Sequence, residues 1–274
     1  MLSVERQTNN HPPEPEPSLG IFDRLNNYLL LFYAGACLLM YYSLSGFLYL
    51  SGLPLLSLSL PGILGILFPF YILSSRFSLR FADEYRLGAP GAETTLIALL
   101  VTAGMILPVE ALSTFMEKKW PPDADYINFL LSIKPKGLFS FAAVAFGIGI
   151  VTPVAEEFLF RGFIQRIFIR NMPAGLAIVL SSLLFAAAHF DLSALPAAAL
   201  LGAAYGYLFH LTGNLFYPIL GHLVFNLISL LRLNAISETD LQTPRLDYPP
   251  PALAAASIAV LVLALMRLRR LHGR

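Results

Sequence analysis

LFSFAAVAFGIGIVTPVAEEFLFRGFIQRIFIR, residues 138–170, opens with eighteen uncharged residues and then takes up Glu156, Glu157 and Arg161 within the same apolar run. A helix that crosses a bilayer needs ~20 predominantly apolar residues. The pattern predicts one helix from Leu138 to about Arg170, longer than a bilayer is thick, whose last part with Arg161, Arg166 and Arg170 emerges into the interface. Ionisable groups inside such a run are costly and point to function. One stretch thus predicts both a membrane-spanning helix and a polar site on it.

The same reading extends in both directions. From Leu25 to Ser75 there is no Asp, Glu, Lys or Arg, room for two spans broken near Ser51-Gly52-Leu53-Pro54. A polar loop from Arg76 to Gly91 precedes a third span at 94–116, and a wet segment from Glu117 to Lys136 brings Lys118, Lys119, Asp123, Asp125 and Trp120. After the long fourth span, three more fall at 174–190, 196–211 and 215–232, with turns near Asp191–Leu195 and Thr212–Asn214. A proline-rich loop leads to an eighth span at 252–267 that ends in Arg267, Arg269 and Arg270. The expected fold is all-α, a polytopic membrane bundle of about eight helices.

Composition agrees. Of the 274 residues 57% are hydrophobic and only 13% charged, about half the charge of a soluble domain, so lipid is the expected solvent. A net charge of +1 argues against nucleic acid as a partner. Cys37 is the single cysteine and reads as packing, with no internal disulfide to form. Residues 1–27 lack a signal-peptide core and centre on His11-Pro12-Pro13-Glu14-Pro15-Glu16-Pro17, which reads as a disordered polar tail. The organisation expected is therefore a tail (1–27), three spans with polar loops (28–137), a core that bears the polar motifs (138–232), and a loop, last helix and basic end (233–274).

Eight spans place both termini on one side. That side gathers Arg6, Arg24, Arg76, Arg80, Arg86, Arg166, Arg170, Arg267, Arg269, Arg270 and Arg274, and the other gathers Lys118, Lys119, Lys134, Lys136, Arg232 and Arg245. Eleven against six favours both termini inside. Gly202-Ala203-Ala204-Tyr205-Gly206 offers a small-xxx-small face for close helix packing.

Three short patterns hold the polar groups. In Glu156-Glu157-Phe158-Leu159-Phe160-Arg161 the second glutamate stands four residues before the arginine, so Glu157 and Arg161 pair on one helix face. Glu156 is about 100° round the helix and lacks that cation, the condition wanted in a general base. Phe185-Ala186-Ala187-Ala188-His189 ends the fifth span with an imidazole, and His222-Leu223-Val224-Phe225-Asn226 sets two polar side chains on one face of the seventh. Depth connects them. Glu156 lies 16 residues before Met172 and His189 lies 17 after it, which puts both roughly 25 Å from that turn. Counting onward through the sixth span brings His222 within ~5 Å of the same level. Glu110, after Pro108 in the third span, falls outside these patterns and reads as a kink or a span end.

Glu-Glu-x-x-x-Arg, Phe-x-x-x-His and His-x-x-x-Asn, in this order on successive apolar helices, resemble the CPBP family over residues 138–232. These are the type II CAAX prenyl endopeptidases and the related Abi and bacteriocin-processing membrane proteins. The resemblance implies an intramembrane endopeptidase in which Glu156 and His189 hold and activate the attacking water. His222 and Asn226 would stabilise the oxyanion, and Glu157, Arg161 and Phe185 would support the site. It implies a peptide or membrane-anchored protein as substrate, lipidated or not, and a multi-pass protein in lipid, with a bacterial plasma membrane as the expected location. No cofactor is required on this pattern. Glu156, His189 and His222 also match the two-His, one-Glu composition of a catalytic zinc site, although no His-Glu-x-x-His motif or cysteine ligand supports zinc independently. Two other classes fit the polar groups less well. A proton-coupled carrier would use the same Glu and His residues as a relay, with Pro153 breaking the fourth span, yet no inverted repeat is visible. A non-catalytic immunity or scaffold protein would not need the intact residue set.

Overall fold

The computed structural model describes residues 20–241 and 247–273. Residues 1–19 of the expected tail, and Arg6, Arg245 and Arg274 of the charge count, lie outside the described residues. Among those described, the chain is helical with no strand, as a backbone without water to bond must be.

Among the described residues nine helices of ten residues or more organise it: α1 (Asn27–Leu50), α2 (Pro54–Arg76), α3 (Ala92–Lys119), α4 (Ala124–Ile133), α5 (Leu138–Ile169), α6 (Ala174–Ala187), α7 (Leu195–Thr212), α8 (Phe216–Ala235) and α9 (Pro251–His272). The predicted breaks fall where the chemistry put them. Gly52 turns with a left-handed φ of +75° and Pro54 opens α2 in its first turn, where a missing N–H costs nothing. Gly213, φ +62°, closes α7. The Glu117–Lys136 segment is less open than expected. Asp123 caps a short helix by accepting from the Tyr126 N–H at 2.8 Å, and Ile133 of that helix is buried.

Seven helices among the described residues are long and apolar enough to cross a membrane, and together they make this a multi-pass integral membrane protein. The fifth predicted span, 174–190, forms only the fourteen-residue α6. It still crosses the bundle. Asn27 at the start of α1 hydrogen-bonds Asn171 at 2.8 Å just before α6, while His189 beyond its other end lines a cavity with Trp120 and Asp123 past the far end of α3. About 21 Å of helix therefore does the work of ~30 Å of hydrocarbon.

Residues 20–27 were expected to belong to a disordered tail, but two of their apolar side chains are carried into the core. Ile21 and Phe22 are buried, and Phe22 packs on Phe163 of α5 and beneath the Arg166 guanidinium. Glu84, in the loop after α2, receives the Ile21 N–H at 3.4 Å. Burial holds its carboxyl above the usual glutamate range, opposed by Arg166 beside it.

α5 lies at the centre. One apolar cluster joins it to α1, α2 and the Ile21–Phe22 segment, and a second joins α3, α7, α8 and α9. Small residues set the spacing. A Cβ on Gly104 of α3 would stand 2.7 Å from the Leu261 backbone nitrogen of α9, so the two helices meet backbone to backbone. Gly202 and Gly206 act as predicted, and they also bare their carbonyls to α5. Arg161 donates to the Gly202 oxygen at 3.2 Å and Gln165 to the Gly206 oxygen at 2.9 Å. Outward faces are apolar, with Phe32 76% and Leu263 65% exposed, as lipid-facing surfaces are.

Gly104→Ala should destabilise the protein by about 1–3 kcal/mol, read as a lower unfolding temperature in detergent, because neither backbone can withdraw. A change no larger than that of a lipid-facing Leu263→Ala control would contradict this packing.

Candidate active site

α5 is not a uniform helix. Ala145–Val151 and Phe160–Gln165 are wound as π-helix, and between them lies the α-helical segment Thr152–Leu159 that bears both glutamates. Wide turns of this kind recur beside functional sites. Pro153 lies inside this continuous helix, directly after the π-helical Ala145–Val151 stretch, and the helix runs on unbroken.

Glu157 is fully buried. One of its oxygens, Oε1, accepts from Arg161 Nη1 at 2.8 Å and faces His222 Nδ1 at 2.8 Å. The i, i+4 pairing read from the sequence is thus present, and Arg161, only 1% exposed, adds a bond to the Gly202 carbonyl and a cation–π contact 4.4 Å over Phe185. The partnership between Glu157 and His222 was not legible in the sequence. It crosses from α5 to α8, and only the helix register creates it.

That second bond has a chemical consequence. An ionised carboxylate only accepts, so His222 donates from Nδ1 and its Nε2 is turned the other way. Nε2 stands 3.7 Å from Glu156 Oε2, whose side chain is partly open at 17% exposure. The ring is held flat against Tyr205 (5.7 Å between centroids, 27°) and edge-on to Phe185 (5.9 Å, 82°). Tyr205, another residue the motifs did not single out, is buried and lies 3.4 Å from the Thr102 hydroxyl.

His189 follows from the pairing of α5 with α6. Gln165 meets Ser181 (3.5 Å) and Arg161 meets Phe185, so the next turn of these antiparallel helices sets His189 level with Glu157. Its Nδ1 bonds the Phe185 carbonyl oxygen at 2.9 Å and its ring packs edge-on against Phe185 at 4.9 Å. Among the described contacts no hydrogen bond or ion pair joins it to Glu156 or His222, and the Phe185 ring packs edge-on against both imidazoles. Its other side opens into a cavity of about 290 Å³ shared with Trp120, Pro121, Asp123 and Tyr126. Asn226 stands one turn beyond His222 and donates to the Ile148 carbonyl at 2.9 Å. Glu110 is remote from these groups and pairs with Arg232 at 3.0 Å.

The zinc alternative does not fit this arrangement. Among the described residues no three His, Cys, Asp or Glu side chains stand close enough to hold one ion. Of Glu156, His189 and His222, only His222 and Glu156 form a pair, with Nε2 and Oε2 3.7 Å apart.

Fold and site define a class first: a multi-pass helical membrane protein with a buried Glu–Arg–His cluster at the centre of its bundle. Residues 138–228 match the family described as type II CAAX prenyl endopeptidase Rce1-like. Comparison with curated proteins and with solved structures gave no match.

Arg161→Met should cost about 3–5 kcal/mol, since it leaves Glu157 charged and buried without its cation. Adding Glu157→Gln should restore part of that loss. Thermal unfolding of the two single variants and the double variant in detergent measures the coupling, and strict additivity would rule out the pair as a buried unit.

Proposed function

We propose that this protein is an intramembrane endopeptidase that hydrolyses a peptide bond near the membrane with a water activated by Glu156. The observation that supports this best is the line Glu157–His222–Glu156, a buried carboxylate orienting an imidazole whose far nitrogen faces a second, partly open carboxylate. A gap of 3.7 Å is too long for a direct hydrogen bond and suits a bridging water.

In this reading Glu156 takes a proton from the water as its oxygen attacks the scissile carbonyl, with His189 holding the water from the cavity side. The carbonyl oxygen becomes an oxyanion, met by the side chains of His222 and Asn226. Such donors are worth most in a water-poor site, where removal of one costs ~10²–10³ in rate. Collapse of the tetrahedral intermediate breaks the C–N bond, and the proton held by Glu156 goes to the leaving amine. Glu157 fixes the orientation of His222, and Arg161 pairs with the same Glu157 oxygen. No metal enters this scheme.

The substrate class is a peptide or membrane-anchored protein. The family description supports a prenylated tail as the first substrate to try, alongside unlipidated peptides. The proposed setting is the plasma membrane of a bacterium, with the segment from Trp120 to Tyr126 at the mouth of the site, where it shares the cavity with His189.

Glu156→Gln and His189→Ala should each lower kcat by ~10²–10⁴ without changing the unfolding temperature, measured on purified protein with a library of prenylated and plain peptides. Full activity in Glu156→Gln would sink the hydrolytic reading. Cleavage should also persist in 1,10-phenanthroline and EDTA, and loss of activity restored by zinc would overturn the metal-free form of the mechanism.

A further inference from the structure

The turn that follows α6 is built in an unusual way. His189 N–H bonds the Ala186 carbonyl and Phe190 N–H bonds the Ala187 carbonyl, both at 3.1 Å, which tightens the last turn of the helix. Phe190 then takes a left-handed φ of +52°, a conformation bulky side chains seldom adopt. A residue in that region persists only where its surroundings hold it. The Ala188 carbonyl, at the end of the helix, has no following backbone N–H to satisfy it.

Both needs are met by one side chain from a distant helix. The Tyr42 hydroxyl of α1 donates a short hydrogen bond to the Ala188 carbonyl oxygen, and the Tyr42 ring packs edge-on against Phe190, with centroids 5.0 Å apart at 81°. Ala188 and Phe190 are the two chain neighbours of His189, so Tyr42 grips the backbone on both sides of that imidazole. Tyr42 is itself seated. Tyr41 packs against it at 5.1 Å and 88°, and the Tyr41 backbone passes so near Gly65 of α2 that a Cβ there would lie 2.8 Å from the Tyr41 Cα. Residue 42 lies well outside the matched domain, which begins at residue 138.

We propose that Tyr42 is a positioning residue for His189. It fixes the Ala188–Phe190 turn so that the ring, tied to the Phe185 carbonyl through Nδ1, presents Nε2 at one height and angle. Its effect on rate rests on the endopeptidase reading given above, whereas its effect on the geometry of His189 does not. The hydroxyl does one job and the ring another, so Tyr42→Phe separates them by keeping the contact with Phe190 and deleting the hydrogen bond.

The test has two arms. In the first, side-chain-labelled histidine is followed by NMR in detergent micelles; the chain has five histidines, and His189→Gln assigns the resonance of interest. Tyr42→Phe should shift or broaden the His189 signals and leave those of His222 in place. In the second arm, peptide cleavage by Tyr42→Phe should show kcat lower by about tenfold at unchanged KM, the scale of one lost hydrogen bond, with an unfolding temperature close to that of the parent. An unmoved His189 signal overturns the proposal, and so does a moved signal accompanied by a KM effect alone. Should Tyr42→Phe not fold, Phe190→Leu removes the ring contact and is judged by the same His189 signal. If Glu156→Gln shows the endopeptidase reading to be wrong, the NMR arm still decides whether Tyr42 sets the imidazole.

Discussion

A carboxylate buried in an apolar bundle is tolerable only when cations and donors surround it, and the rest of this structure is arranged around Glu157. Arg161 supplies the charge from one turn along the same helix, and His222 supplies a donor from α8. Arg161 in turn requires a carbonyl to take its second nitrogen and an aromatic face to lie against. Gly202 and Phe185 provide these from α7 and α6. Four helices are thereby pinned at one level by a single carboxyl group. A Cβ at Gly202 would stand 3.0 Å from the Ser182 Cβ, so the missing side chain lets α7 close on α6 where the Gly202 carbonyl takes Arg161.

Glu156 and Glu157 are adjacent and have the same chemistry, yet their surroundings assign them opposite parts. Glu157 points into the bundle and is saturated on one oxygen by Arg161 and His222. Glu156, rotated about 100° round the helix, keeps an open side and faces the free nitrogen of the same imidazole. One ring therefore has a fixed end and a working end. The π-helical turns on either side of the Thr152–Leu159 segment adjust the angle at which these faces meet α8 without interrupting the helix.

The helices before the matched domain are more than membrane anchors. α1 reaches the turn that bears His189, Phe22 packs on Phe163 beneath Arg166, and α3 packs against α8 and α9. The short α6 makes this support necessary. The helix ends at Ala187, about 21 Å from its start, and the Ala188 carbonyl just past it takes the Tyr42 hydroxyl.

The sequence by itself determined the solvent, the number of crossings and the residues of interest. Long apolar runs have few alternatives to a helix in lipid, and isolated ionisable groups within them stand out. It also determined the Glu157–Arg161 pair, because an i, i+4 contact is local to one helix. The tertiary structure alone decided what lay between helices: that Glu157 also holds His222, that Phe185 packs edge-on against both histidines, that Tyr205 lies flat against the His222 ring, and that Ile21 and Phe22 pack into the core. Depth can be counted along a chain at 1.5 Å per residue, so the common level of the polar groups was legible. Rotation about each helix axis and the offset between neighbouring helices are set by how side chains from distant segments interlock, and no single stretch of sequence contains that information.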